Sequence, residues 1–137
     1  MMKDICTANL AELKALLEEG AVSSVEIVRA LKAAYQADEK QPLPLHGFIE
    51  FFDDAEVQAE KADALRKEGK TAGKPLLGLP FAIKDNISMR GKLCTCCSKL
   101  MEGYKAPYDA TVITRLTEAG AIPIGRTNMD EFAMGSS

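Results

Sequence analysis

The stretch Gly78–Asn86, "GLPFAIKDN", is the best indicator of fold in this chain, because a short apolar run ends directly in a lysine. Glycine and proline bound the run on one side and polar residues bound it on the other, a pattern typical of a buried strand. We therefore predict a strand over Leu79–Lys84 that is covered on both faces. Lys84 then lies at the carboxyl end of that strand, where open α/β sheets place their ligand crevices.

Lys84 is the first candidate for a chemical role. Desolvation disfavours the charged ammonium, so a lysine held in such a crevice can be neutral near pH 7 and act as a general base. In the alternative, structural interpretation, its stem packs at the strand end while its head reaches water or pairs with Asp85. Asp85 and Asn86 could hold the lysine, or they could simply stabilise the following turn. The residues alone leave both interpretations open.

A second strand is predicted after a helix. The stretch 109–120, "DATVITRLTEAG", indicates a helix with Asp109 as N-cap and Gly120 at its end. Its apolar face is expected to carry Val112, Leu116 and Ala119. "AIPIG" then predicts a short buried strand over Ala121–Gly125. A strand, a helix and a strand form a right-handed crossover unit, so we expect the two strands to lie parallel in one sheet.

The amino-terminal half predicts three amphipathic helices. The first lies within 7–20, the second begins at Ser23 or Ser24, and the third follows Asp53 or Asp54 after a short extended segment. Their apolar faces are expected to carry Leu10, Leu13, Leu16 and Leu17; then Val25, Val28, Leu31 and Tyr35; and then Ala55, Ala59, Ala62 and Leu65. The predicted fold class is α/β, in one domain, with a helical region over about 1–70 and the start of the α/β core over about 76–137.

Composition excludes several functional classes. The 137 residues are 47% hydrophobic and 27% charged, which suits a globular domain. The formal charge is −3 with both signs interspersed, so no basic face for nucleic acid or anionic lipid is predicted. No apolar run approaches the roughly 20 residues that span a bilayer, and no secretory signal opens the chain. We expect a cytoplasmic protein without a membrane partner.

The cysteines are expected to be reduced and structural. "CTCC" contains Cys94, Cys96 and Cys97 without the paired spacing of common zinc sites, and the only histidine, His46, is far away in sequence. Free cysteine commonly behaves as a small hydrophobe. We therefore predict small buried thiols at the start of a connecting segment, and no metal site.

The end of the chain offers weaker candidates. "NMDEFAM", 128–134, predicts a short helix in which the adjacent Asp130 and Glu131 point apart, so that one of them compensates the helix dipole. Ser136 and Ser137 invite a serine-nucleophile role, but no neighbouring base is visible, and a cap or turn is the expectation. The ending "MGSS" is expected to be a cut rather than a natural terminus.

Two longer stretches carry a resemblance to a known family. "GLPFAIKDNI" and "TCCSKLMEGYKAPYDATVITRLTEAGAIPIGRTNMDEFAMGSS" resemble the start of the amidase signature family, and the similarity runs through essentially the whole chain. Within that family, "NMDEFAMG" is similar to the glutaminase subunits of tRNA-dependent amidotransferases. The resemblance implies an amidase-signature mixed sheet with helices on both faces, of which this chain is the incomplete amino-terminal part.

The resemblance also implies a mechanism and partners. Lys84 corresponds to the lysine of a Ser-cisSer-Lys triad, and Phe132, Ala133 and Met134 correspond to a segment that lines the substrate pocket. Glutamine is the implied substrate, and its ammonia amidates ATP-activated Glu-tRNA(Gln) or Asp-tRNA(Asn). The implied partners are GatB-like and GatC-like subunits of a heterotrimer. ATP and Mg²⁺ act through a partner subunit, tRNA binds through the complex, and no cofactor is implied for this segment.

The sequence departs from the family at one point. The Gly/Ser-rich segment with the bridging serine, and the nucleophile segment after it, are absent from these 137 residues, and Ser136 and Ser137 lie too early to replace them. Family members are roughly three to four times this length. A triad acts as a unit, so the isolated segment is expected to be inactive. The alternatives are a fragment of another amidase-signature hydrolase and a non-catalytic interaction module.

Overall fold

Helices pack against a small mixed sheet in residues 5–135, the part of the chain that this computed structural model describes. The elements in chain order are α1 (Leu10–Glu18), α2 (Ser24–Asp38), β1 (Phe48–Phe51), α3 (Ala55–Lys67), β2 (Pro80–Lys84), α4 (Thr111–Glu118) and β3 (Ile122–Thr127), with single 3₁₀ turns at Ile5–Thr7, Lys99–Met101 and Glu131–Ala133. The predicted α/β class is confirmed. None of the helices in this described part is long and apolar enough to cross a membrane.

Helices α1 and α2 begin at reciprocal capping boxes. The Asn9 side chain accepts the Glu12 N–H at 3.0 Å, and the Glu12 carboxylate accepts the Asn9 N–H at 2.8 Å. Ser23 and Glu26 make the same pair of hydrogen bonds at the start of α2. At α2 the structure thus selects Ser23, one of the two starting residues that the sequence allowed.

Asp54 occupies the predicted N-cap position of α3 without a capping hydrogen bond, and the predicted cap of α4 is wrong. Asp54 precedes α3 with helical backbone angles and no capping hydrogen bond, and its carboxylate instead accepts from Lys92 Nζ at 2.7 Å. The N-cap position of α4 is Ala110, while Asp109 accepts the Arg90 N–H at 2.7 Å. In both cases a donor from the long connection between β2 and α4 takes the carboxylate, and the sequence around each helix does not show that donor.

The sheet has the order β1-β3-β2, with β2 parallel and β1 antiparallel to β3. The predicted parallel pairing of the strands on either side of α4 is confirmed. Strand β1 lies within the stretch 1–70 that was expected to be helical, where only an extended segment was predicted, and it joins the sheet by pairing with distant β3.

Pro123 of β3 has no N–H to donate to the neighbouring strand. The register of β2 against β3 shifts beside it, between Phe81 and Ala82.

The core forms where α3 packs on β3. Ala55, Ala59 and Ala62 of the predicted apolar face are buried together with Ile122 and Ile124, and these small side chains allow close packing. The rest of this core is Val28, Phe51, Phe52, Leu77, Ile83 and Ile113, and a second cluster of Leu13, Leu17, Val22, Ile27 and Leu79 lies under α1. The predicted apolar face of α4 needs one correction. Ile113 enters the core there, and Val112 is 46% exposed.

Gly125 marks the closest approach of β1 and β3. A Cβ at this position would lie 2.3 Å from the carbonyl oxygen of Glu50 and 3.1 Å from Phe51 Cα. We therefore expect Gly125→Ala to lower the free energy of unfolding by about 1–3 kcal/mol, because the strands must separate to admit the methyl group. Urea denaturation measures the change. Gly47→Ala is the matched control, since no atom lies within 4 Å of the position that its Cβ would take; equal losses in both variants would contradict the prediction.

Candidate active site

Lys84 lies at the carboxyl edge shared by the two parallel strands. It ends β2 and pairs in register with Thr127 near the end of β3. Its side chain is exposed, as is Ala82 two residues earlier on the same face. The prediction that this strand is covered on both faces is therefore wrong for residues 5–135. Strand β2 is at the edge of the sheet there, and none of the described elements covers the face that carries Lys84.

Asp85, the next residue, is the most heavily hydrogen-bonded side chain of the site. It is 1% exposed, and its carboxylate accepts the N–H and the hydroxyl of Thr95, the Cys97 N–H at 2.9 Å and the guanidinium of Arg126. Its carbonyl oxygen accepts the Cys96 N–H at 3.1 Å. Of the two roles that the sequence left open, the structure shows the stabilisation of the following loop.

Arg126 connects the ends of all three strands. It is 5% exposed, its Nη1 pairs with Asp85, and its Nε donates to Glu50 Oε2 of β1 at 2.9 Å. The partner of Asp85 is therefore Arg126 and not Lys84, so of the structural interpretation the alternative in which the exposed lysine head reaches water remains. Adjacent strand residues point to opposite faces, so Asp85 turns toward the core side, away from the lysine head.

The hydrogen bonds outweigh burial in setting the charge of Asp85. Burial opposes its ionisation, but the donors of Thr95 and Cys97, together with the positive charge of Arg126, hold the pKa of this carboxyl below its ordinary value. The pair with Arg126 is therefore ionised at neutral pH. Lys84 has no counter-ion among residues 5–135, because Asp85 pairs with Arg126, and its side-chain nitrogen is left available at the edge.

The cysteine-containing loop 94–98 packs directly on Asp85. Cys94 is buried, Cys96 and Cys97 are half-buried, and all three carry free thiols, in line with the predicted structural role, whereas Cys6 is exposed. Burial raises the pKa of the Cys94 and Cys97 thiols, which disfavours reactive thiolates. Among residues 5–135, no group of His, Cys, Asp and Glu side chains is arranged to hold a metal ion.

The predicted helix over 128–134 is wrong. The structure has only the single 3₁₀ turn Glu131–Ala133, in which Phe132 and Ala133 have left-handed φ angles of 52° and 58°. Contacts with the 94–98 loop hold this conformation. The Phe132 N–H donates to the Cys96 carbonyl at 3.0 Å, and Glu131 accepts the Ser98 hydroxyl at 2.6 Å instead of compensating a helix dipole.

The predicted pocket residues lie at the same edge as Lys84. Phe132, Ala133 and Met134 follow β3, whose Thr127 pairs with the lysine, and all three are exposed. Their role toward a substrate stays a prediction. Ser136 and Ser137 lie outside the described residues.

Sequence reasoning missed Arg126, Glu50 and Ser98. The signal for Arg126 was present in "IPIGRT", where one cation ends an otherwise apolar strand. A buried cation needs an anionic partner, but its two partners are 41 and 76 residues away along the chain. Only the folded topology identifies them.

A lysine stands at the carboxyl edge of a parallel crossover unit, and the neighbouring acid–arginine pair leaves it unengaged. Such an arrangement suits a hydrolase that uses a lysine as its base. Residues 26–137 match the family profile for Amidase. The chain belongs to the amidase family.

Within the amidase family, the chain is similar to GatA subunits. The chain is 57% identical over 145 residues to the GatA subunit of the glutamyl-tRNA(Gln) amidotransferase of Treponema pallidum (strain Nichols), and 58% identical over 134 residues to that of Treponema denticola. These alignments cover 97% of this chain but 29% and 28% of the relatives. The chain thus spans less than a third of the length of these curated relatives.

Solved structures agree with this assignment. The native peptide amidase from Stenotrophomonas maltophilia superposes with a TM-score of 0.84 at 31% identity, over 92% of this chain and 26% of that enzyme. An amidase family protein from Bacillus anthracis gives a TM-score of 0.85 at 25% identity, over 93% of this chain and 25% of that protein. The described residues therefore form part of an amidase fold and not the whole of it.

Proposed function

We propose that this chain is the amino-terminal part of the glutaminase subunit of a tRNA-dependent amidotransferase, and that Lys84 is its catalytic base. The observation that carries the proposal is the position of Lys84 at the shared carboxyl edge of β2 and β3. The identity of 57–58% to GatA subunits supports the choice of branch within the family. The Asp85–Arg126 ion pair supports the role of the lysine. Asp85 and Arg126 neutralise each other's charge, so Asp85 does not form an ion pair with Lys84.

The proposed reaction is acyl transfer through a serine. Neutral Lys84 takes a proton from a bridging serine, which takes the proton of a second serine as it attacks the side-chain amide of glutamine. The C–N bond breaks, the nitrogen leaves as ammonia after receiving the proton, and water then releases glutamate from the acyl-enzyme. In this proposal both serines come from sequence outside these 137 residues.

The proposal includes partner subunits. Ammonia passes to a GatB-like subunit, where ATP and Mg²⁺ activate Glu-tRNA(Gln) or Asp-tRNA(Asn), and a GatC-like subunit completes the heterotrimer. The net charge of −3 supports tRNA binding through the complex rather than through this segment. A cytoplasmic location belongs to the same proposal.

Substrate choice tests the proposal. The experiment uses a longer protein, the full-length amidase, which begins with this sequence and has the length of the GatA relatives. Ammonia release from glutamine is measured beside release from a small peptide amide, because a peptide amidase is among the structural neighbours. We expect glutamine to be the preferred substrate when the companion subunits are present. Hydrolysis of the peptide amide alone would favour the other amidase-signature hydrolases.

The 137-residue chain by itself is expected to release no ammonia from glutamine above the buffer background. Lys84 is present in it, but a base without its serines contributes little to acyl transfer. A coupled glutamate dehydrogenase assay measures the ammonia, with the full-length amidase as the positive control. Clear turnover by the short chain would contradict the assignment of the nucleophile to sequence outside it. Stable capture by companion subunits without turnover would support the interaction-module alternative.

A further inference from the structure

Two loops at the carboxyl edge are joined by a pair of hydrogen bonds that we call the edge brace. The Ser98 hydroxyl donates to Glu131 Oε1 at 2.6 Å, and the Phe132 N–H donates to the Cys96 carbonyl at 3.0 Å. Ser98 is only 5% exposed, whereas Glu131 is exposed, so the bond is partly buried. The brace links residues 33 positions apart in sequence.

Both sides of the edge brace are held in an unfavourable backbone conformation. Cys96 and Cys97 have φ angles of 51° and 52°, and Phe132 and Ala133 have angles of 52° and 58°. Residues with a Cβ occupy this left-handed region only where surrounding contacts fix them, and such residues cluster at ligand clamps. The turn Glu131–Ala133 therefore depends on the brace for its shape.

The edge brace connects the loop that Asp85 holds to the turn that carries an exposed aromatic side chain. One side of it, the 94–98 loop, is held by the carboxylate of Asp85, which directly follows Lys84. The other side carries Phe132, which is 40% exposed and follows the strand that pairs with Lys84. A ligand bound at this edge, beyond the carboxyl ends of β2 and β3, would meet both Lys84 and Phe132.

We propose that Ser98 is a positioning residue that sets substrate affinity, because its hydrogen bond to Glu131 fixes the turn that carries the exposed Phe132 beyond the carboxyl end of β3. The inference rests on the proposed function, since it concerns the amide substrate of the same site. Ser98 itself is buried, and it affects substrate binding through the conformation of the turn. Loss of the bond lowers the population of the binding-competent turn and weakens substrate binding in proportion, while Lys84 stays in place on β2.

The test compares four variants of the full-length amidase. Ser98→Ala and Glu131→Ala each remove the bond, and we expect each to raise KM about tenfold with kcat nearly unchanged, the scale of one hydrogen bond to a charged group. Glu131→Gln keeps an acceptor oxygen and should retain a KM close to that of the wild type. Ser98→Ala also loses the acceptor of the Leu100 N–H, so the double variant Ser98→Ala/Glu131→Ala should be no worse than Ser98→Ala alone.

Thr117→Ala is the matched control for loss of a hydroxyl. Among residues 5–135, the Thr117 hydroxyl bonds only to carbonyl oxygens of its own helix, α4, so its removal should leave KM unchanged. An unchanged KM in Ser98→Ala, additive effects in the double variant, or a fall in kcat alone would overturn the inference.

Hydrogen exchange separates this inference from the proposed function. The backbone amide of Phe132 should exchange faster in Ser98→Ala than in the wild type, measured by mass spectrometry on the peptide that covers 129–135. If the wild type does not hydrolyse glutamine, the proposed function fails, and KM is then measured with the small peptide amide. Unchanged exchange at Phe132 would overturn the edge brace whichever amide is hydrolysed.

Discussion

Replacement of Lys84 by alanine in the full-length amidase is expected to lower kcat for glutamine hydrolysis by about 10³-fold or more. The lysine is the proposed base, and without it neither serine can pass on its proton. The fold should survive, because the side chain is exposed and forms no ion pair within residues 5–135. Ammonia release at saturating glutamine measures the effect, and circular dichroism with urea unfolding checks the fold.

Lys70→Ala is the control for the Lys84 experiment. Lys70 is an exposed lysine in the connection between α3 and β2, and it pairs only with Glu68 at the surface. Such surface pairs contribute little to stability, so this variant should keep both activity and fold. Retained activity in Lys84→Ala would remove the lysine from the mechanism. Equal losses in the two variants would show a general sensitivity to the removal of surface charge.

Replacement of Asp85 by alanine is expected to destabilise the fold by about 3 kcal/mol, because it leaves the buried guanidinium of Arg126 without its main partner. The Thr95 and Cys97 donors lose their acceptor in the same variant. Glu50 continues to accept from Arg126 Nε and offsets part of the loss. Urea denaturation of the full-length amidase measures the change, and loss of order in the 94–98 loop should accompany it.

Two further variants identify the cause of the Asp85 effect. Asp54→Ala removes a carboxylate from the more exposed pair with Lys92 and should change stability by less than about 1 kcal/mol. The double variant Asp85→Ala/Arg126→Met removes both charges, and it should recover part of the stability lost in Asp85→Ala. A loss in Asp85→Ala no larger than that in Asp54→Ala would contradict a structural role for the pair.

The same pair predicts a pH dependence. Because the pKa of Asp85 is held below its ordinary value in the folded state, its ionisation stabilises the fold fully above the unfolded pKa of about 4. That contribution is lost as the pH falls through the lower pKa of the folded state. As the pH falls below about 4, Asp85→Asn should therefore lose less stability than the wild type. Parallel pH profiles for the two proteins would exclude this linkage.

The sequence by itself determined the features that depend on close neighbours. Asn9 with Glu12 and Ser23 with Glu26 lie three residues apart, so each capping box forms within one helical turn. The parallel pairing of β2 and β3 could be predicted because a strand, a helix and a strand that follow one another along the chain form a crossover unit. The position of Lys84 at the end of an apolar run was sufficient to place it at the carboxyl edge of the sheet.

Only the tertiary structure decided which groups surround Lys84. Arg126 reaches Asp85 across 41 residues and Glu50 across 76, and Ser98 reaches Glu131 across 33. These partners depend on strand order and loop paths, which local patterns do not encode. The two wrong predictions have the same origin. The sequence predicted a helix over 128–134, where long-range hydrogen bonds to the 94–98 loop impose a turn. It also predicted that β2 is covered on both faces, but β2 lies at the edge of the sheet and its lysine is exposed.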